Sequence, residues 1–122
     1  MTILIVDDDA GIRTLLTVFL ARNGYAAVSV PHGLAALDHL HQQALPELIL
    51  LDAMMPVIDG AAFRHIQQDD ARLANIPVIV MSATPHLSQT AVALQAANCL
   101  DKPIELNTLL GMVEQYCADP AA

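Results

Sequence analysis

Three short apolar runs constrain this chain most: Ile3-Leu4-Ile5-Val6, Leu48-Ile49-Leu50-Leu51 and Val78-Ile79-Val80-Met81. Each is too short for a helix of ordinary length and none alternates apolar with polar, so each predicts a strand buried on both faces. Strands covered on both faces belong in a parallel sheet. Two weaker strands complete the set: Ala26 to Val30 after the Asn23-Gly24 break, and Cys99 to Asp101 before Lys102-Pro103. Segments with helical spacing lie between them. Ile12, Leu15, Leu16, Phe19 and Leu20 form one apolar stripe, and further helices are predicted over Gly33 to Gln43, Gly60 to Gln68, Leu87 to Ala97 and Glu105 to Cys117. A repeated βα alternation with short connections predicts an α/β protein: an open, doubly wound parallel sheet of five strands with helices on both faces. Ligands of such sheets sit at the carboxyl ends of the strands.

A length of 122 residues fits one domain, expected over residues 1–118 with 119–122 as a short tail. The hydrophobic content of 55% is enough for a core that needs no metal or disulfide. Five Lys plus Arg against 13 Asp plus Glu give a formal charge of -8, which repels nucleic-acid phosphates and anionic membranes alike. Neither direct nucleic-acid binding nor membrane association is expected. Cys99 and Cys117 form no CxxC pair, and no signal peptide or long apolar segment precedes them, so a reduced, cytoplasmic setting is the expectation.

The polar residues that matter should follow the strands, and they do. Asp7, Asp8 and Asp9 follow the first strand, Asp52 ends the third, Ser82 ends the fourth and Lys102 follows the fifth. In a sheet of flavodoxin-like order 2-1-3-4-5, the ends of strands one, three, four and five form one pocket. Carboxylates ~5 Å apart repel by about 3 kcal/mol per pair at an effective dielectric near 20, and a hard dication such as magnesium relieves this. An Asp carboxylate beside such an ion can act as a nucleophile toward phosphorus, with Lys102 and the Ser82 hydroxyl available to phosphoryl oxygens. Taken singly, each feature has a blander explanation. Asp8 or Asp9 could cap a helix, Ser82 could cap local backbone and Lys102 could be a solvated charge; it is their joint placement that favours a site.

The segments Ile3 to Asp9, Leu48 to Gly60, Pro77 to Ala83 and Asp101-Lys102-Pro103 resemble, in order, the signature blocks of response-regulator receiver domains of two-component systems. The resemblance implies a domain that takes a phosphoryl group from a sensor histidine kinase or phosphotransfer protein and then changes its affinity for a downstream protein. It is not an enzyme in the usual sense. Residue by residue, it makes Asp52 the phospho-acceptor, with Ser82 and Lys102 assisting. Asp8 is implied as a direct ligand of magnesium or manganese, Asp7 as acting largely through water, and Asp52 and the Met54 carbonyl as completing the metal site. It also implies a cis bond before Pro103 and a turn at Asp59-Gly60, and gives Asp9 no catalytic part.

The chain departs from the family where an aromatic residue usually stands three positions before the lysine; here it is Cys99. The stretch from Ser82 to Lys102 is also about two residues short, and Asn98 is expected to take the left-handed conformation a glycine would supply. A degenerate receiver acting as a constitutive interaction module therefore stands as an alternative. A phosphohydrolase would need a second Asp where Met54 stands, and a flavodoxin would not place three acids against a cofactor phosphate. His39 and His41 point to different helix faces and read as surface residues, while His32, His65 and His86 show no partner in the sequence. Between Leu73 and Leu100 there is no charged residue, and Val92, Ala93, Ala96 and Ala97 lie beyond the Leu87/Ala91/Leu94 stripe. That fourth-helix face is either an alanine-rich surface or a docking face for a partner or a second copy.

Overall fold

A computed structural model describes residues 2–53, 60–83, 89 and 92–117. Five strands, β1 (Thr2–Val6), β2 (Ala26–Val30), β3 (Leu48–Asp52), β4 (Val78–Ser82) and β5 (Asn98–Asp101), form one parallel sheet in the order β2-β1-β3-β4-β5. Four helices are described: α1 (Ala10–Arg22), α2 (Gly33–Gln42), α3 (Gly60–Asp69) and α4 (Leu106–Tyr116). The helix expected over Leu87 to Ala97 lies partly outside the described residues, which omit 87, 88, 90 and 91. Val92 and Ala93 are helical, whereas Leu94 and Gln95 form a turn, so no helix continues to Ala97.

Successive residues of a strand face opposite sides of the sheet, and this builds two cores from the same apolar runs. Leu4, Val6, Ile49, Leu51, Val78 and Val80 face α2 and α3, where Leu40 and Phe63 pack against them. Ile3, Ile5, Leu48, Leu50, Ile79 and Met81 face α1 and α4, meeting Leu16, Leu20, Leu109 and Val113. Every residue of β3 and β4 is buried, which is why those sequences show no alternation. The α1 stripe is narrower than its sequence spacing predicts: Leu16 and Leu20 are buried, but Leu15 is 50% exposed.

Local sequence sets the helix limits. Asp9 caps α1 by accepting from the amides of Gly11 and Ile12, and Glu105 caps α4 by accepting from Asn107 and Thr108. His32 is not without a partner: its Nδ1 accepts from the Ala35 amide and caps α2. His65 lies 3.6 Å from Asp69 one turn along α3, both exposed. The left-handed position near β5 falls on Gln95, at φ 53, and not on Asn98, which is already part of β5. Asn98 instead accepts the Cys99 amide through its side chain.

Candidate functional site

The register sets the strand ends level: Val6 pairs with Leu51, Asp52 with Met81 and Ser82 with Asp101. Residues just beyond these positions therefore converge. Carboxylate oxygens of Asp7, Asp8 and Asp52 lie within 4.8 Å of one another. Asp7 and Asp52 are buried, at 0% and 3% exposure, and Asp8 is exposed at the rim. The Lys102 ammonium donates to Asp7 Oδ2 at 2.9 Å and lies 3.5 Å from Asp52 Oδ1. Ser82 is buried at the end of β4, and its carbonyl accepts the Lys102 amide at 3.0 Å. The bond between Lys102 and Pro103 is cis, as the family resemblance implies.

The acidic turn after β1 is held from several sides. The Asp7 amide donates to the Val30 carbonyl on the neighbouring strand, and Asp7 Oδ1 accepts the Asp9 amide at 2.8 Å. Arg13 reaches back from α1 to donate to the Asp7 carbonyl at 2.8 Å. Asp9 itself caps α1 through its side chain. On the far side of Asp52, Gly60 starts α3 hard against Ala53. A Cβ at Gly60 would sit 3.1 Å from the Ala53 Cα, and the Gly60 amide donates to the Ala53 carbonyl. Met54, Met55 and Asp59, like His86, lie outside the described residues.

Burial disfavours the charged form of Lys102. The hydrogen bond to Asp7 and the charges of Asp52 and Asp7 outweigh it, so the Lys102 pKa rises above its ordinary value. The ammonium is thus a fixed positive charge at neutral pH. The donor set suits a hard dication. Oxygens around an octahedral magnesium with bonds of about 2.1 Å stand roughly 3–4 Å apart, a spacing that three carboxylates within 4.8 Å can adopt. An apolar cavity of about 170 Å³ adjoins Lys102, lined by Ile12, Leu15, Leu16, Pro103 and Ile104.

The sequence reading missed two buried polar residues on α3. Arg64 and Gln67 occupy the same helix face as Gly60 and Phe63, and all four are buried. Their spacing of three and four was the available sign, hidden because Arg and Gln normally mark a solvated face.

A flavodoxin-like sheet carrying three carboxylates and a lysine at its strand ends defines the class, and comparison with known proteins supplies the family. The family model of the response regulator receiver domain matches residues 3–114, and the chain belongs to that family of two-component signalling proteins. It is 35% identical over 117 residues to Sporulation initiation phosphotransferase F of Bacillus subtilis, covering 93% of this chain and 91% of that protein. To Response regulator Rre1 of Synechocystis it is 36% identical over 122 residues, covering 97% of this chain and 52% of that protein. The chain thus spans nearly all of some relatives and about half of others. A response regulator receiver protein from Pseudomonas putida superposes with a TM-score of 0.85 at 29% identity, covering 93% of this chain and 95% of that one.

Proposed function

We propose that this receiver domain accepts a phosphoryl group on Asp52 from a histidine kinase or phosphotransfer protein, in a reaction that requires magnesium or manganese. The observation that carries the reading is the meeting of Asp7, Asp8 and Asp52 within 4.8 Å, with Lys102 3.5 Å from Asp52. An Asp52 oxygen attacks phosphorus as the bond to the donor breaks, a P–N bond in a phosphohistidine or a P–O bond in an acyl phosphate. The bonding electrons leave with the imidazole nitrogen or the carboxylate oxygen, and an imidazole takes up a proton. Asp7, Asp8, Asp52 and the Met54 carbonyl would hold the cation, which supplies positive charge to the phosphoryl oxygens and relieves the repulsion among the acids. Lys102 and the Ser82 hydroxyl serve the remaining phosphoryl oxygens.

The apolar cavity beside Lys102 offers a protein donor a contact next to the reacting carboxylate. The phosphorylated surface then binds a downstream protein with altered affinity, which requires differential contacts in the two states. Direct nucleic-acid binding is not part of this reading, in keeping with the charge of -8. No described helix is long and apolar enough to cross a membrane, and a cytoplasmic setting is part of the same reading.

The test is intact-mass measurement after acetyl phosphate treatment, with and without magnesium. One phosphoryl group is expected on the wild type only with the cation, and none on Asp52→Asn. Equal modification of Asp52→Asn would remove Asp52 from the role. Cys99, packed against the α2/α3 side of the core where the family has an aromatic residue, favours a second reading as a constitutive interaction module. That reading stands if the wild type gains no phosphate under any condition while still binding a partner.

A further inference from the structure

Among the described residues, Arg64 is the only lysine or arginine that is buried, at 7% exposure. No carboxylate pairs with it among the ion pairs described. Its acceptors are neutral: Nε donates to the Leu94 carbonyl at 2.8 Å, Nη2 to the Gln95 carbonyl at 2.9 Å and Nη1 to Gln67 Oε1 at 2.7 Å. Gln67, fully buried, passes the connection on by donating to the carbonyls of Leu73 and Ile76. A further bond runs from Gln68 Nε2 to Gln95 Oε1 at 2.8 Å.

Leu94 and Gln95 form the turn that follows the helical residues Val92 and Ala93, and the guanidinium satisfies a main-chain carbonyl of each. Gln95 is also the one non-glycine residue with positive φ among those described, a conformation that disfavours an ordinary side chain by roughly 1 kcal/mol or more. Bonds from two α3 residues to one strained residue mark a fixed geometry rather than a loose turn.

The other end of α3 touches the site. Gly60 bonds the carbonyl of Ala53, the neighbour of Asp52, so closely that a Cβ would sit 3.1 Å from the Ala53 Cα. One helix therefore carries a contact with the Asp52 strand at its first residue and a grip on the 94–95 turn one turn later. Beyond that turn the chain enters β5, whose last residue precedes Lys102; just before it, Val92 is 78% exposed.

We propose that Arg64 couples the state of Asp52 to the 92–97 surface, through α3 as a rigid lever, in a receiver that lacks an aromatic residue at position 99. The proposal rests on the reading that Asp52 changes state, and its test is arranged so that the two can fail separately. Arg64 acts through other residues and is a positioning residue, not a catalytic one.

The experiment is a double-mutant cycle between Asp52→Asn and Arg64→Met, read as hydrogen-exchange rates of the Gln95 and Ala97 amides. These amides bond to the carbonyls of Val92 and Val78. With Arg64 present, Asp52→Asn changes their exchange by a factor on the order of three to ten, in the lower part of the span for groups coupled through one network. Arg64→Met removes that response. Arg64→Lys, which keeps the charge but not the two-carbonyl fork, loses most of it as well. A purely structural Arg64 would raise exchange in both Asp52 backgrounds by the same factor. That outcome, or an unchanged response in Arg64→Lys, overturns the proposal. The Gln43 amide, which bonds the His39 carbonyl at the end of α2, serves as a folding control, and Arg64→Lys alone decides the matter if Arg64→Met does not fold. Adding acetyl phosphate and magnesium to the wild type tests Asp52 chemistry independently. If no phosphoryl group is gained, the functional reading fails while the cycle still decides the coupling.

Discussion

Replacing Asp52 by Asn should stabilise the metal-free protein, and the sign follows from opposing effects in the pocket. Its oxygens lie within 4.8 Å of those of Asp7, so at an effective dielectric near 20 that repulsion is at least about 3.5 kcal/mol. Asp8 is exposed, and water reduces its share to about 1 kcal/mol. Lys102 attracts Asp52 across 3.5 Å by about 4.7 kcal/mol on the same scale. Repulsion and attraction nearly cancel. What remains is the desolvation of a carboxylate only 3% exposed, a penalty of several kcal/mol per ion that an amide largely escapes. Allowing for a lost charge-assisted hydrogen bond, the expected gain is about 1–2 kcal/mol, or roughly 3–8 °C in melting temperature. Asp7→Asn should rank below it, because that change also gives up the 2.9 Å bond from Lys102. Urea and thermal denaturation in EDTA measure both, and added magnesium should stabilise the wild type more than Asp52→Asn. An Asp52→Asn protein less stable than the wild type in EDTA by about 1 kcal/mol or more would refute the account of the pocket as electrostatically strained.

Burial, then the charge of Glu47, pushes the Cys117 thiol up to about 11, so at pH 8 its thiolate fraction should be about 100-fold below that of a thiol at the ordinary value of 9.0. Ellman titration of Cys99→Ser should accordingly show a slow thiol, and rapid complete reaction of the native protein would contradict it. Hydrogen bonds from the Thr108 hydroxyl, then the amides of Thr108 and Asn107, hold the Glu105 pKa below its ordinary value. Its cap therefore contributes stability above the unfolded pKa and loses it as pH falls through the lower folded pKa. Glu105→Gln should lower the melting temperature near neutrality, with a difference that shrinks under acid conditions; an acid-independent difference would count against this. Glu114 lies in the last turn of α4 against the helix dipole, so Glu114→Gln should add a few tenths of a kcal/mol at low salt and nothing at high salt. A gain that survives high salt would rule out the dipole as its source.

The three central strands are legible in the sequence because burial on both faces leaves uninterrupted apolar runs, the edge strands β2 and β5 because of the breaks beside them, and four of the helices because their faces repeat at three and four. The site residues are legible for a related reason: a parallel sheet delivers whatever follows its strands to one edge, so Asp7, Asp52, Ser82 and Lys102 could be grouped without knowing a distance. What could not be read is how backbone carbonyls are satisfied. Arg64 and Gln67 carry no sign of burial in their own chemistry, and the main-chain partners of Arg64 lie up to 31 residues away. Leu15 fits the α1 stripe by spacing, yet it lines the open cavity beside Lys102, Pro103 and Ile104 and stays half exposed. The left-handed residue was expected at Asn98 from residue type; it falls on Gln95, the residue that Arg64 and Gln68 of α3 bond.

The use of the basic residues explains how a chain of net charge -8 can hold an acidic pocket without dispersing it. Of five Lys and Arg residues, Lys102 spans Asp7 and Asp52, Arg13 holds the Asp7 carbonyl, Arg64 holds Leu94 and Gln95, and Arg72 donates to the Leu40 carbonyl near the end of α2. Four cations are thus placed on main-chain carbonyls or within the pocket, and only Lys102 makes an ion pair among the described contacts of these four. Carbonyl partners keep a cation's charge while satisfying its donors, so the fold gains fixed joints without neutralising the acids. Three of those joints bear on the site: at the acidic turn, at the lysine and on the helix that begins beside Asp52. Under the proposed function, the pocket has to stay acidic to take a dication and has also to stay rigid. Placing guanidinium groups on backbone carbonyls meets both requirements at once.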